Sequence, residues 1–296
     1  MQAPAAAPCG RPAPPTRAPA QRGEAAAAAA AAGGSGRRRA LLAAAAAALQ
    51  QQLAGRSAAA ATCAAAGASA PQRLWVLPPR GCLALGDVGA DYDGYAATYD
   101  ALDGGAASAA LGFPGLRRAL LAQASGDALE VAVGTGLNLP LWDWASLASL
   151  TALDLSPGML DAAAARAAAV QPGAGGVPVR LVQGDAAALP FDDGSFDAVV
   201  DTFSLCVMER PQAALAEFAR VLRPGGRLLL LEHTRSDSPL LGAYQGATRG
   251  LVAPISKGCD WAQDVPGMVA ALPGVAVTSQ QRHLAGTLVS ISAQRL

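Results

Sequence analysis

The twelve residues from Leu129 to Pro140, Leu-Glu-Val-Ala-Val-Gly-Thr-Gly-Leu-Asn-Leu-Pro, constrain what this chain can fold into more than any other stretch. The apolar segment through Val131 and Val133 reads as a short buried strand, and Gly134-Thr135-Gly136 ends it before a helix start. Glycine adopts backbone conformations that a Cβ forbids and lets the main chain pass close to a bound molecule. The first N–H groups of a helix lack partners of their own and face whatever lies above them. A strand that runs through two glycines into a helix therefore marks a ligand loop.

Around this loop, strand and helix patterns alternate. Pro114 to Ser125 reads as a helix with Leu116, Leu120 and Leu121 facing in, and a helix is expected through Trp142 and Trp144. Leu150–Leu155 is a second strand, and Ser156-Pro157 then supplies an N-cap and a first-turn proline for a helix to about Val170. Val177–Val182 forms a third strand, closed by Gly184-Asp185. The near-continuous apolar run Phe196–Phe203 suits a strand covered on both faces. A helix over Ala213–Leu222 stops at Arg223-Pro224-Gly225-Gly226, before a strand over Arg227–Leu231. Helices follow near 240–251 and 266–272, and Val275–Ser279 and Thr287–Ser292 close the chain as strands. The pattern predicts an α/β fold, a doubly wound, Rossmann-like, seven-stranded and mostly parallel sheet with ligands at the carboxyl ends of its strands. The last two strands are too close for a helical crossover, so one of them is expected to be antiparallel.

The charge balance divides the chain in two. Residues 1–86 carry nine Arg and one acid, Glu24, whereas residues 87–296 carry 13 basic and 21 acidic residues. The first segment is rich in Ala, Pro, Gly and Arg, with Ala25–Ala32 and Ala43–Ala48 as homopolymeric runs, and has too little large apolar surface to offset the entropy of ordering it. A basic, acid-poor leader ahead of an ordinary domain reads as an organellar transit peptide, for a chloroplast or a mitochondrion, with a low-complexity tail as the alternative. Leu41–Leu49 is too short and too Ala-rich to span a bilayer. No transmembrane helix is expected, although an Ala-rich helix beside Arg37-Arg38-Arg39 leaves peripheral membrane contact open. The acidic 87–296 domain, with no basic patch interleaved with aromatics, argues against a nucleic-acid partner. The five cysteines, Cys9, Cys63, Cys82, Cys206 and Cys259, contain no Cys-x-x-Cys pair and signal neither a disulfide framework nor a zinc site.

Two cofactor classes suit such a loop, a dinucleotide or S-adenosylmethionine. A dinucleotide site requires a third glycine three residues after the second, and that position is Leu139. Asp154, eighteen residues past Gly136 at the end of the next strand, is placed to accept from both hydroxyls of a ribose in either class.

Five pieces in order resemble the class I S-adenosylmethionine-dependent methyltransferases, in particular the ubiquinone/menaquinone C-methyltransferase group and the related methyltransferase-like thiol methyltransferases. They are Tyr92–Asp100, Glu130–Gly136, Leu153–Leu160, Gly184–Asp192 and Leu222–Gly226. The resemblance covers residues 91 to about 235 well and the last sixty loosely, and it implies a methyltransferase domain over 87–296 with S-adenosylmethionine as cofactor. By that resemblance Glu130 orients the glycine loop or reaches the methionine ammonium through water, and Gly134 and Gly136 let the backbone approach. Asp154 binds the ribose, Met159 packs on the adenine, Asp185 accepts from its amino group, and the Ala186 N–H contacts a ring nitrogen. Thr202 and Phe203 lie beside the sulfonium, and the face of Tyr92, Tyr95 and Tyr99 caps the site. The family has glycine at the position of Ala132, so this loop is one Cβ more crowded. His233, placed at the mouth after Glu232, is the candidate base or acceptor-orienting group, while His283 is structural. The implied activity is methyl transfer to an O, S or C nucleophile of a small apolar acceptor. The alternative is a non-catalytic methyltransferase-fold protein acting in organellar assembly or as a scaffold.

Overall fold

The computed structural model describes residues 87–254 and 256–296. The 1–86 leader, and an expected first contact at Trp75-Val76-Leu77, lie outside the described residues. Seven strands, β1 (Gly126–Val131), β2 (Leu147–Asp154), β3 (Val179–Gln183), β4 (Phe196–Thr202), β5 (Leu222–His233), β6 (Val275–His283) and β7 (Leu288–Arg295), form one sheet in the order β3-β2-β1-β4-β5-β7-β6. The chain winds outward from β1 through β2 to β3, then returns to β4 on the other side of β1. The switch point therefore lies between β1 and β4, where open α/β sheets hold their ligands. Strands β1 to β5 pair in parallel, and β7 enters antiparallel between β5 and β6, as the short connection requires.

Successive residues of the central strands point to opposite faces, and both faces are covered. Leu129, Val131, Val199, Leu228 and Leu230 pack with Leu215 and Phe218 of the helix Pro211–Val221 and with Val265 and Val269 of the helix Val265–Ala270. Ala128, Ala198, Val200, Leu229 and Leu231 pack on the other face with Leu120, Leu121 and Trp142. This two-sided burial is what the unbroken apolar run at Phe196–Phe203 encodes.

Most elements fall within a few residues of their sequence-predicted places, and the exceptions are informative. No α-helix follows the glycines; 3₁₀ turns at Leu139–Leu141 and Trp144–Ser146 lead directly into β2. Pro140 sits in the first of these turns, and the Asn138 side chain is bonded to Glu130 at 2.9 Å, which anchors this segment to β1. The helix N-terminus expected beneath the ligand is therefore absent. Pro224-Gly225-Gly226 is not a linker between helix and strand but a bulge inside β5: Leu222 pairs with Phe196, the chain loops out, and Arg227 resumes beside Ala198. Gly225 takes φ 79° there, a conformation that glycine adopts at no steric cost.

Helices are numbered α1 (Asp87–Asp103), α2 (Ala106–Ala110), α3 (Phe113–Leu121), α4 (Pro157–Val170), α5 (Pro211–Val221), α6 (Pro239–Val252) and α7 (Val265–Ala270). Ser156 caps α4 through its side chain, which accepts from the Met159 N–H at 3.1 Å. Asp93 of α1 accepts from the Gly158 N–H at 2.8 Å and from the Ser156 hydroxyl, which docks α1 over the start of α4. Among the described residues no helix is long and apolar enough to cross a membrane.

Candidate cofactor and acceptor site

A cavity of about 440 Å³ opens at the carboxyl ends of β1 to β4, within the range of small-molecule sites. Each strand contributes to its wall: Ala132 and Gly134 after β1, Asp154 to Ser156 after β2, Gly184 to Ala187 after β3, and Thr202 to Ser204 after β4. Met159 of α4 and Val207 to Arg210 complete the floor and one side, and Tyr92 and Tyr99 of α1 close another. Of the sequence-predicted cofactor residues, Gly134, Asp154, Met159, Asp185, Ala186, Thr202 and Tyr99 meet at this cavity. Glu130, Gly136 and His233 do not form its wall.

The two glycines serve different ends. A Cβ on Gly134 would meet nothing within 4 Å, so its backbone borders open cavity, and its φ of 56° favours glycine. A Cβ on Gly136 would lie 2.6 Å from Leu139 Cδ1 and 3.5 Å from the Ala163 Cα. Packing against the buried Leu139, not approach to a ligand, demands glycine there. Asp154 ties the loop in place, its Oδ2 accepting from the Gly134 N–H at 2.8 Å and its Oδ1 from the Ser156 N–H at 2.9 Å. Burial dominates those bonds and raises the Asp154 pKa to about 6. The Leu155 N–H bears on the carboxylate as well, and with about four lone-pair sites Asp154 keeps room for a ligand hydroxyl. Thr135, between the glycines, is clamped from outside: its hydroxyl donates to Asp100 at 2.6 Å, and Arg166 donates to its carbonyl at 2.7 Å while pairing with Asp100.

Beneath the cavity lies a buried polar network of which the sequence reading saw only the ends. Glu130 accepts from Asn138 Nδ2 at 2.9 Å and from Trp142 Nε1 at 3.0 Å. Arg117 donates to Asn138 Oδ1 at 2.8 Å and to Thr202 Oγ1 at 2.7 Å, and its guanidinium lies 4.7 Å from the centroid of Phe203. Desolvation lifts Glu130 to about 7 against these donors. Glu130 thus holds the segment after the glycines by direct bonds to Asn138 and Trp142. Arg117 was missed although a signal existed: it is the one charge on the buried i, i+3, i+4 stripe with Leu120 and Leu121.

Asp185 is also engaged already. Its Oδ1 accepts from the Ala187 N–H at 2.8 Å and its Oδ2 from Arg210 at 2.7 Å, so an adenine amino group there would share it with Arg210. On α1, Tyr92 contacts both Tyr95 and Tyr99, with ring centroids 6.0 and 6.4 Å apart, which is the common face expected from the spacing. The Lys257 ammonium sits over Tyr95 and Tyr99 at 4.7 and 4.6 Å, tying α1 to the segment after α6.

Beside β4 and β5 the chemistry changes. Phe203 takes φ 61° and stacks on Phe113 at 5.0 Å, with the His233 ring centroid 5.2 Å from its own. His233 itself does not line the cavity but packs against Phe203, which does. Its Nδ1 faces two thiols instead, Cys206 Sγ at 3.8 Å and Cys259 Sγ at 3.7 Å. Close by, burial pushes Asp201 up to about 7, and burial with repulsion from Asp201 holds Glu232 well above its ordinary value, with Ser204 bonded to both carboxyls. His283, expected to be structural, bonds Ser290 at 2.8 Å across β6 and β7.

Comparison with known proteins agrees with this geometry. Residues 129–230 match the family profile described as a methyltransferase domain. A demethylmenaquinone methyltransferase from Deinococcus radiodurans is 40% identical over 134 residues, 44% of this chain and 54% of that protein. A phosphatidylethanolamine N-methyltransferase from Cereibacter sphaeroides is 40% identical over 123 residues, 41% of this chain and 58% of that one. The chain thus spans little more than half the length of these relatives. Among solved structures, the 4+2 cyclase SpnF superposes with a TM-score of 0.56 at 19% identity, over 70% of this chain and 94% of that one. A geranyl diphosphate methyltransferase in complex with S-adenosylmethionine superposes with a TM-score of 0.51 at 15% identity, over 62% and 85% of the two chains. Such distant likenesses establish the fold, and residues 129–230 resemble a methyltransferase domain within it.

Proposed function

We propose that this chain transfers a methyl group from S-adenosylmethionine to an oxygen, sulfur or carbon nucleophile of a small, apolar acceptor. The observation that carries the reading is the meeting of Gly134, Asp154, Asp185 and Ala186 around one cavity. The cavity fits the cofactor chemically: a carboxylate with free lone pairs beside an uncrowded backbone suits a ribose next to an amino acid, and the Met159 and Leu155 wall suits a flat base. The sulfonium of the bound cofactor supplies the activated methyl. The chain's own contribution is alignment and exclusion of water. Thr202, held from below by Arg117 and Asn138, and Phe203 form a rigid floor beside the reacting centre, and Tyr92 and Tyr99 cover it. A proton must leave only if the acceptor arrives as a phenol, a thiol or a carbon acid. His233, screened by Phe203, would act on such a proton as a positioning residue.

An apolar acceptor is supported by Phe203, Val207 and Met208 on the β4 side of the cavity. The demethylmenaquinone in one relative's name fits that class, whereas the phosphatidylethanolamine N-methyltransferase names a nitrogen acceptor outside it. Calorimetry of the full chain with S-adenosylhomocysteine tests the cofactor half, and absence of binding by folded protein would sink it. An acceptor panel read out by S-adenosylhomocysteine release tests the other half. The rival reading is a scaffold that keeps the fold without turnover, favoured by the crowded Ala132 and by the Arg210 contact on Asp185; binding with no product across a panel of quinols, thiols and phenols would establish it.

The leader, in the same proposal, addresses the chain to a chloroplast or mitochondrion. A fluorescent fusion of residues 1–86 should concentrate in one of these organelles, and a diffuse signal would overturn the assignment. Peripheral lipid contact fits the exposed Leu240, Tyr244 and Leu251, which share one face of α6.

A further inference from the structure

We infer that Cys206, His233 and Cys259 form a binding site for a thiophilic divalent cation of the zinc class. The sequence hides this site because its members lie on three separate segments: the turn after β4, the end of β5, and the turns between α6 and α7. In the fold their ligand atoms all lie within 4.8 Å of one another. Tetrahedral zinc, with bonds of about 2.3 Å to sulfur and about 2.0–2.1 Å to nitrogen, holds such atoms roughly 3.6 Å apart. The two sulfurs stand 3.8 and 3.7 Å from His233 Nδ1, near that spacing, and lie within 4.8 Å of each other, so the ion would enter by drawing the sulfurs together by at most about 1 Å.

The arrangement is held by contacts that do not involve the ligand atoms. The Asp260 N–H donates to the Cys206 carbonyl at 2.7 Å, locking the two thiol-bearing segments together. The Phe203 ring fixes the imidazole plane, and a backbone bond from Cys259 to Ser256 shapes the second turn. Both thiols are buried, at 3% and 7% exposure, while His233 is partly exposed and offers a path in. Both sulfurs would bind as thiolates, any thiol proton still held leaving to solvent as the sulfur–metal bonds form, with no change of oxidation state. Three protein ligands leave a fourth position for water or another small donor. The bound ion would also staple together the segments that carry Phe203 to Arg210, the acceptor wall of the proposed cavity. The inference stands on these three side chains and does not depend on the methyltransferase reading.

The test uses the full chain with Cys9, Cys63 and Cys82 replaced by alanine, reduced and freed of metal with a chelator. Titration with Co²⁺ should give a near-ultraviolet sulfur-to-cobalt charge-transfer band and the visible bands of a tetrahedral ion, saturating at one equivalent and bleached by Zn²⁺. Cys206→Ser and Cys259→Ser should each weaken the charge-transfer band, and His233→Ala should keep it. All three should weaken affinity by more than the roughly 10- to 100-fold that loss of an outer-shell partner costs. If a variant fails to fold, protection from alkylation decides: Zn²⁺ should shield Cys206 and Cys259 together in the otherwise unchanged chain. A reduced parent chain without the charge-transfer band, a band undiminished in folded Cys259→Ser, or thiols that alkylate equally fast with and without Zn²⁺ would each overturn the proposal.

Discussion

On the β1–β3 side of the cavity, each carboxylate is bonded within its own turn, Asp154 by the Ser156 N–H and Asp185 by the Ala187 N–H, each two residues on. Gly134 and Arg210 add bonds from farther along the chain. On the β4–β5 side the groups meet only because the sheet brings them together: Arg117 bonds Thr202 across 85 positions, and Cys206 and Cys259 converge on His233 across 27 and 26. Turn chemistry is local and repeats wherever the same cofactor is bound, whereas the far side depends on packing and is free to differ with the acceptor. The first side is therefore the part a motif can describe, and the second the part it cannot.

Asn138 joins the two sides, since it bonds Glu130, Arg117 and Thr202 at once. Asn138→Leu keeps the volume but removes a donor from the buried Glu130 and an acceptor from Arg117. Leaving buried charged groups short of partners should cost about 2–4 kcal/mol of stability, read by urea unfolding. S-adenosylhomocysteine affinity should fall with it, because the same residue anchors the glycine segment. Unchanged stability would mean that the two sides are independent.

Asp154 isolates the local side. Asp154→Ala should weaken S-adenosylhomocysteine by about 1–3 kcal/mol, the worth of a charged hydrogen bond, and leave the thiol cluster unaltered. Its pH dependence carries two opposite signs. Burial raises Asp154 to about 6, Glu130 to about 7 and Asp201 to about 7, above their ordinary 3.8, 4.5 and 3.8. The folded chain then binds more protons than the unfolded chain, so these groups' contribution to stability is full below about pH 4 and is lost as pH rises through 6 to 7. Cofactor affinity should move the other way, because a ribose hydroxyl donates best to the ionised carboxylate: affinity rises as pH passes through about 6. Calorimetry across pH 5 to 8 checks this, and Asp154→Asn should flatten the profile. A profile that persists in the asparagine variant would assign the titration to another group.

The division between the two sides also marks how much of the molecule was legible from its residues. Strand alternation, the Ser156-Pro157 cap and the short link between the last two strands specified the sheet, its doubly wound order and its one antiparallel insertion. The same local signals placed Gly134 and Asp154 at the ligand end of the sheet, while Met159, Asp185 and Thr202 came to the cavity only through the resemblance of the five motifs. Gly136 was assigned to the ligand because glycine spacing does not distinguish a Cβ that would strike a cofactor from one that would strike Leu139. The helix after the glycines was expected because the pattern does not show Asn138 turning down onto Glu130. His233 stood out singly, but Cys206, His233 and Cys259 carried no signal as a cluster, since their spacing follows no local repeat and the pairing of β4 with β5, and the bond from Asp260 to Cys206, bring them together.

The smallest expected effect tests the one place where this chain departs from the motif on its local side. Ala132 takes φ 49° at the edge of the cavity, in the left-handed region where an alanine Cβ crowds its own carbonyl and glycine does not. Ala132→Gly relieves that strain but gives the unfolded chain more freedom, which offsets part of the gain. The net should be a stabilisation of about 0.5–1 kcal/mol, measured as a rise in the urea midpoint without change in slope. Removing the Cβ also widens the cavity wall, so S-adenosylhomocysteine should bind slightly tighter. Tighter binding without added stability would locate the cost of Ala132 in contact with the cofactor, and added stability without tighter binding would locate it in the backbone. A loss of both would show that the loop has adapted to its alanine, making even the local side of this cavity particular to this chain.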